Sequence, residues 1–139
     1  MPASTISSPA AGKTGPLRLA LLACWGIGLT MLEALARDDR VSLVLVLTRV
    51  ARDGDPWAGA VMARAQELGI AAESFEGMSF TALRSRLDTC MADLLMVHAY
   101  PRKLPREVFG RPPLGTVNVH PSLLPRYRGP QPTVAVLAE

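Results

Sequence analysis

The sequence predicts a doubly wound α/β fold with a mostly parallel sheet, and three observations carry that prediction. Apolar runs rich in Leu and Val recur without polar alternation, as in strands buried on both faces of a parallel sheet. Between them lie segments whose apolar residues fall at helical spacing. Gly, Pro or Asp marks most of the junctions. At 139 residues, 49% hydrophobic and 19% charged, the chain has the bulk for one such domain and lacks the composition of a disordered one.

Each element follows from its own residues. Residues 1–16, MPASTISSPAAGKTGP, lack periodicity and are rich in Ser, Ala, Pro and Gly, so a flexible tail is expected ahead of a domain over 17–139. LRLALLAC (17–24) is the first strand and WGIG its turn, and Leu29, Leu32, Leu35 and Ala36 mark a helix over 29–37. VSLVLVLT (41–48) is the second strand. After the polar loop RVARDGDP, Asp55 as cap and Pro56 in the first turn open a helix with Trp57, Val61, Ala65 and Leu68 on one face. Gly69 ends it.

IAAESF (70–75) is a weak third strand, and Ser79 caps a helix carrying Phe80, Leu83, Leu87 and Met91. DLLMVHAY (93–100) is a strand, PRKLPREVFGRPPL (101–114) a loop, TVNVH (116–120) the last strand, and PTVAVLAE (132–139) the start of a helix. The order β-α-β-α-β-α-β-β-α belongs to an open doubly wound sheet, here incomplete at its C-terminal side.

Composition narrows the function. A net charge of +3 with scattered basic residues does not by itself imply nucleic acid. Cys24 and Cys90 show neither a pairing pattern nor metal spacing, so two free thiols in a reducing cytoplasm are expected, with no metal. LALLACWGIGLTMLEALA after Lys13 and Arg18 imitates a secretory signal. WGIG interrupts it, Glu33 precedes the would-be cleavage site, and a strand followed by a helix accounts for the whole segment. The run is also too short to span a bilayer.

In such sheets ligands lie beyond the carboxyl ends of the strands, here Cys24–Gly28, Thr48–Asp53, His98–Arg102 and Asn118–Arg128. GIGLTM supplies two glycines of a dinucleotide fingerprint but Met31 at the third, with Arg49 where a ribose-binding acid is expected. His98, ending an apolar strand, reads as packed and hydrogen-bonded, and Asp93, opening that strand, as structural. Asn118-x-His120 is different. Residues i and i+2 of a strand share a face, so amide and imidazole converge on one volume. An amide N–H can donate to a developing oxyanion and an imidazole can carry a proton, which suits acyl transfer to an amine. Spacing alone leaves open that the two are strand-end hydrogen bonders.

The loop that follows, SLLPRYRGPQP, resembles the signature of the folate-dependent formyltransferases, in which an Asn-x-His strand runs into a Ser-Leu-Leu-Pro loop ending in Gly. DLLMVHAYPRKLP and PPLGTVNVH are similar to that family's preceding strand and loop, and the looser likeness reaches back to Leu17. The resemblance implies the N-terminal part of a Rossmann-like catalytic domain that transfers a formyl group from 10-formyltetrahydrofolate to an acceptor amine. By resemblance, Asn118 bonds the formyl oxygen and His120 stabilises the tetrahedral intermediate and assists proton movement. Ser122, Leu123, Leu124 and Pro125 shape the adjoining loop, and Gly129 lets backbone approach the ligand. Ala99, Tyr100, Arg102 and Leu104 border the pterin, and Arg126 and Arg128 meet an anionic part of the acceptor or remain solvated.

The acceptor is a small or nucleotide-linked amine, or a charged tRNA where a further domain is present. Self-association is allowed and a membrane is not expected. The chain departs from the family pattern in three places. The family's catalytic aspartate has no counterpart before Glu139, Pro101 replaces the usual Gly and removes an N–H, and CWGIG differs from the commoner early turns. The first of these implies that the chain alone transfers poorly. Two rivals follow: a non-catalytic relative that binds a ligand or partner, and an NADP-dependent oxidoreductase resting on GIG and Arg49.

Overall fold

The computed structural model describes residues 15–129 except 56 and 58, together with Val134 and Leu137. The expected tail and the expected helix over 132–139 therefore lie outside the described residues, apart from Gly15, Pro16, Val134 and Leu137. The elements run β1 (Leu17–Ala23), α1 (Trp25–Ala36), β2 (Val41–Thr48), α2 (Ala60–Glu67), β3 (Ala72–Ser74), α3 (Phe80–Thr89), β4 (Leu94–His98), α4 (Arg106–Phe109) and β5 (Thr116–Val119). The five strands form one sheet in the order β3-β2-β1-β4-β5, every neighbouring pair parallel.

This order has a physical reading. The chain steps outward from β1 through α1 and α2, then crosses back through α3 to β4 on the other side of β1. Right-handed crossovers then put α1 and α2 on one face and α3 and α4 on the opposite face. Two apolar layers record this. Leu19, Leu21, Ala23 and Val46 pack with Leu32, Val61 and Ala65 from α1 and α2. Ala20, Leu22, Leu47, Leu95 and Val97 pack with Leu83, Leu87 and Val108 from α3 and α4. Successive residues of one strand thus feed opposite layers, which is why these strands read as unbroken apolar runs.

Several boundaries differ from expectation. WGIG is not a turn: β1 passes into α1 through Cys24 alone, and Trp25 starts the helix at φ 60. Gly28 makes this possible, since a Cβ there would lie 3.1 Å from the Ala23 backbone carbon. Asp55 does not cap α2. Its Oδ1 accepts the Trp57 N–H at 2.9 Å in a local turn, and Gly59, at φ 80, is the cap residue. Trp57 consequently lies before the helix, its ring against Gly26. Met91 falls past the end of α3 at φ 49 and is exposed, because Cys90 closes that helix. Arg106–Phe109, expected as loop, forms a short helix that buries Val108.

Ser79 caps α3 as expected, its hydroxyl accepting the Ala82 N–H at 3.1 Å. Asp93 behaves as the structural residue it reads as. It is buried, its Oδ2 accepts the Arg18 N–H at 3.0 Å, and the Arg18 guanidinium in turn holds the carbonyls of Cys90 and Met91. The bond ties the starts of β1 and β4 together, at the edge of the sheet away from the strands' carboxyl ends. No helix among the described residues is long and apolar enough to cross a membrane.

Candidate active site

β5 is a short strand at the edge of the sheet formed by the described residues. Its register pairs Val97 with Asn118 and His98 with Val119, so Asn118 lies on the α3/α4 side of the sheet and Val119 on the α1/α2 side. His120 follows the last strand residue and lies just outside β5, where the sequence pattern expects the strand to end. Asn118 is exposed and His120 half-buried, at the carboxyl edge of the sheet. His120 Nε2 lies 3.3 Å from the Tyr127 carbonyl, so the loop after the strand folds back onto the imidazole.

That loop is tightly knit for a segment with so much exposed surface. The Ser122 N–H donates to the His120 carbonyl at 2.9 Å, Leu124 N–H to Ser122 at 3.1 Å, and Arg126 N–H to Leu123 at 3.0 Å. The Leu124–Pro125 peptide is cis. Leu123, Leu124, Pro125 and Arg128 are exposed, and the Arg126 guanidinium carbon sits 5.0 Å from the Tyr127 ring centroid. Gly129 turns at φ 117, a conformation side chains resist, while a Cβ there would meet nothing within 4 Å. Backbone conformation, not crowding, is what requires glycine at that position.

The carboxyl end of β4 borders the same edge. Ala99 leaves the strand at φ 58, and Ala99, Tyr100 and Leu104 pack partly buried against the α3/α4 layer. Tyr100 meets Phe75 edge-on at 5.1 Å, and burial pushes its hydroxyl above the ordinary tyrosine range. Arg102 stacks 4.0 Å over the Phe80 ring, and its Nη1 donates to the Met78 carbonyl at 3.0 Å. Tyr100 and Arg102 are thus held by aromatic partners, Phe75 just after β3 and Phe80 at the start of α3, with Arg102 at the surface.

Elsewhere along the edge the candidates are engaged differently. Arg49 lies 3.4 Å from the Glu76 carboxylate, which Arg52 and the Val50 N–H also reach. The Arg49 guanidinium is therefore engaged in an ion cluster, sharing the one Glu76 carboxylate with Arg52. With one residue between β1 and α1, no glycine loop stands there to cradle a pyrophosphate. Cys24 is buried at that junction, and desolvation pushes its thiol up to about 11, so at neutral pH it is neither thiolate nor nucleophile. Burial likewise raises Cys90, and both cysteines are free. Among the described residues no cluster of His, Cys, Asp and Glu has the geometry to hold a metal. A surface groove of about 410 Å³ lined by Arg84, Asp88, Arg106, Glu107, Gly110 and Arg111 contains none of the candidate residues.

Sequence reasoning missed two features of this edge: the Tyr127 carbonyl against His120, and the Glu76 cluster. The Glu76 cluster had no local signal, since Glu76 lies 27 residues from Arg49, and the Tyr127 contact depends on how the loop folds back onto the imidazole.

Comparison with known proteins agrees with this architecture. The formyl transferase family model matches residues 31–139. A methionyl-tRNA formyltransferase of Roseiflexus sp. (strain RS-1) is 36% identical over 126 residues, covering 88% of this chain and 39% of the relative. Its counterpart in Roseiflexus castenholzii is 36% identical over 125 residues, 87% of this chain and 40% of the relative. The chain thus spans about two fifths of the length of these curated relatives. Among solved structures, glycinamide ribonucleotide transformylase 1 from Geobacillus kaustophilus superposes with a TM-score of 0.68 at 24% identity, over 88% of this chain and 68% of that one. The Symbiobacterium toebii enzyme of the same name gives 0.70 at 21%, over 96% and 65%. These superpositions bear on the fold, and the family model, with an Asn-x-His strand end and its adjoining loop inside the matched span, bears on ancestry: the chain belongs to the formyl transferase family.

Proposed function

We propose that this chain carries the formyl-transfer site of a 10-formyltetrahydrofolate-dependent formyltransferase. The observation that carries the reading is the Asn118-x-His120 pair at the carboxyl end of β5, within a span matched by the family model. The Asn118 side-chain N–H donates to the formyl oxygen as the acceptor amine attacks the formyl carbon. Negative charge grows on that oxygen in the tetrahedral intermediate, so a fixed donor stabilises it more than the ground state. His120 carries the proton lost by the attacking nitrogen toward the departing folate nitrogen. Ala99, Tyr100, Arg102 and Leu104 border the pterin, and Ser122, Leu123, Leu124, Pro125 and Gly129 shape the wall beside the reacting carbon. Arg126 and Arg128 face the acceptor. The folate co-substrate supplies the activated one-carbon unit and no metal takes part.

Among acceptor amines, sequence likeness favours that of a methionyl-tRNA, since 36% identity extends over most of the chain to proteins named for that activity. The likeness to glycinamide ribonucleotide enzymes lies in the fold. The test is ligand binding by this chain followed by transfer. A 10-formyl or 5-deaza folate analogue raises the melting temperature, as about 2.7 kcal/mol of stabilisation at a hundredfold excess over Kd would. NADPH does not. Asn118→Ala and His120→Ala each lower formyl transfer by about 10²–10⁴-fold where transfer is measurable. Stabilisation by NADPH alone overturns the reading, and silence from both ligands favours a non-catalytic relative.

A further inference from the structure

His98 is the second histidine of the chain and does not belong to the Asn-x-His pair. It ends β4, is 4% exposed, and its Nδ1 lies 3.0 Å from the carbonyl oxygen of Val119. Val119 is the residue between Asn118 and His120. A carbonyl only accepts, so Nδ1 carries the hydrogen and donates it. The bond therefore grips the Val119–His120 peptide, between the two residues on which the proposed chemistry rests.

Its position explains why a ring does this work. β5 pairs only with β4 among the described residues, and His98 with Val119 is the last pair of that ladder. Just beyond, the backbone of β4 turns away, with Ala99 at φ 58. The imidazole extends the attachment from a buried side chain. The bond also anchors an edge whose neighbouring residues, Val117, Asn118 and Val119, are exposed and gain little from packing.

We infer that His98 is a positioning residue: its Nδ1–H, bonded to the Val119 carbonyl, sets the orientation of the Asn118–His120 pair. This deepens the formyl-transfer reading and rests on it only for the chemistry that the pair performs.

The experiment uses the 139-residue chain and reads the molecule directly. In ¹⁵N NMR of the wild-type imidazoles, His98 is expected to carry a proton on Nδ1. An Nε2–H tautomer with unprotonated Nδ1 overturns the inference without any variant. Two substitutions then separate positioning from packing. His98→Asn keeps an N–H at the δ position, whereas His98→Val fills a strand site but has no donor. The side-chain amide signals of Asn118 and the ring signals of His120 are expected to shift or broaden in His98→Val and to hold near their wild-type positions in His98→Asn. Equal disturbance by both variants, or none by His98→Val, overturns it. A folate analogue is titrated in parallel. Wild-type failure to bind it counts against the formyl-transfer reading and leaves the tautomer and rescue results to decide the role of His98.

Discussion

β1 and β5 flank the same strand, β4, and both run parallel to it, yet they sit in opposite surroundings. β1 has two strand neighbours and helices over both faces, and its residues from Leu19 to Ala23 are buried. β5 has one neighbour among the described residues, and Val117 and Val119 are 47% and 38% exposed. The ladder is alike in the two pairs, so the difference is one of packing. Stability gathers around β1, where apolar side chains leave water on both sides. The proposed chemistry falls on β5, where exposed residues leave room for a ligand and few contacts oppose a shift of the backbone. Positioning at such an edge falls to individual hydrogen bonds, of which His98 to Val119 is the clearest.

The contrast can be broken most directly by truncation of one side chain on each strand. Leu21→Ala removes a fully buried residue and is expected to cost about 2–5 kcal/mol in urea unfolding. Val117→Ala should change stability by about 0.5 kcal/mol or less. Equal costs would mean that the outer face of β5 is covered in solution and that the two strands are alike after all.

Alkaline pH sharpens it next, through Cys24 at the β1–α1 junction. Its folded thiol lies at about 11 against an ordinary value of 9.0, so folding favours the protonated form. The contribution is whole below pH 9 and is lost as pH rises toward 11, by about 2–3 kcal/mol across that window. Cys24→Ala should remove this loss, and the difference between the two unfolding curves isolates it from Cys90 and Tyr100, which shift in the same direction. Parallel curves would place the thiol in water and weaken the description of β1 as a sealed strand.

Gly59→Ala probes the connection that carries α2 over the β1 side. At φ 80, with a Cβ only 2.9 Å from that of Ala51, the substitution should cost about 1–3 kcal/mol by thermal or urea unfolding. A neutral result would show that the cap can relax without disturbing the layer beneath. A stability effect as small as that of Val117→Ala is expected at the proposed site. Asn118→Ala should shift unfolding by about 0.5 kcal/mol or less while weakening the response to a folate analogue. A large loss of stability would make the amide a structural member of the edge.

Much of the architecture was legible in the chain because its signals are local. Unbroken Leu and Val runs, helical spacing between them and the Ser79 cap depend on neighbouring residues, and the parallel sheet follows from their alternation. The strand that carries Asn118 was legible for the same reason, although it ends at Val119, one residue before His120. Partnership across long separations was not. Which ring Arg102 stacks on, which carboxylate pairs with Arg49 and which carbonyl His98 reaches depend on register between strands and on where each helix lands. The residues around WGIG show the limit most plainly. Read locally, two glycines make a turn; packed against Ala23, Gly28 lets a helix start one residue after the strand, because only the folded neighbour reveals that the missing Cβ is a matter of space. The exposure of β5 among the described residues likewise follows from its place in the sheet. A strand's residues state which of its two faces are apolar, whereas its order among the other strands sets how many of those faces and edges are covered.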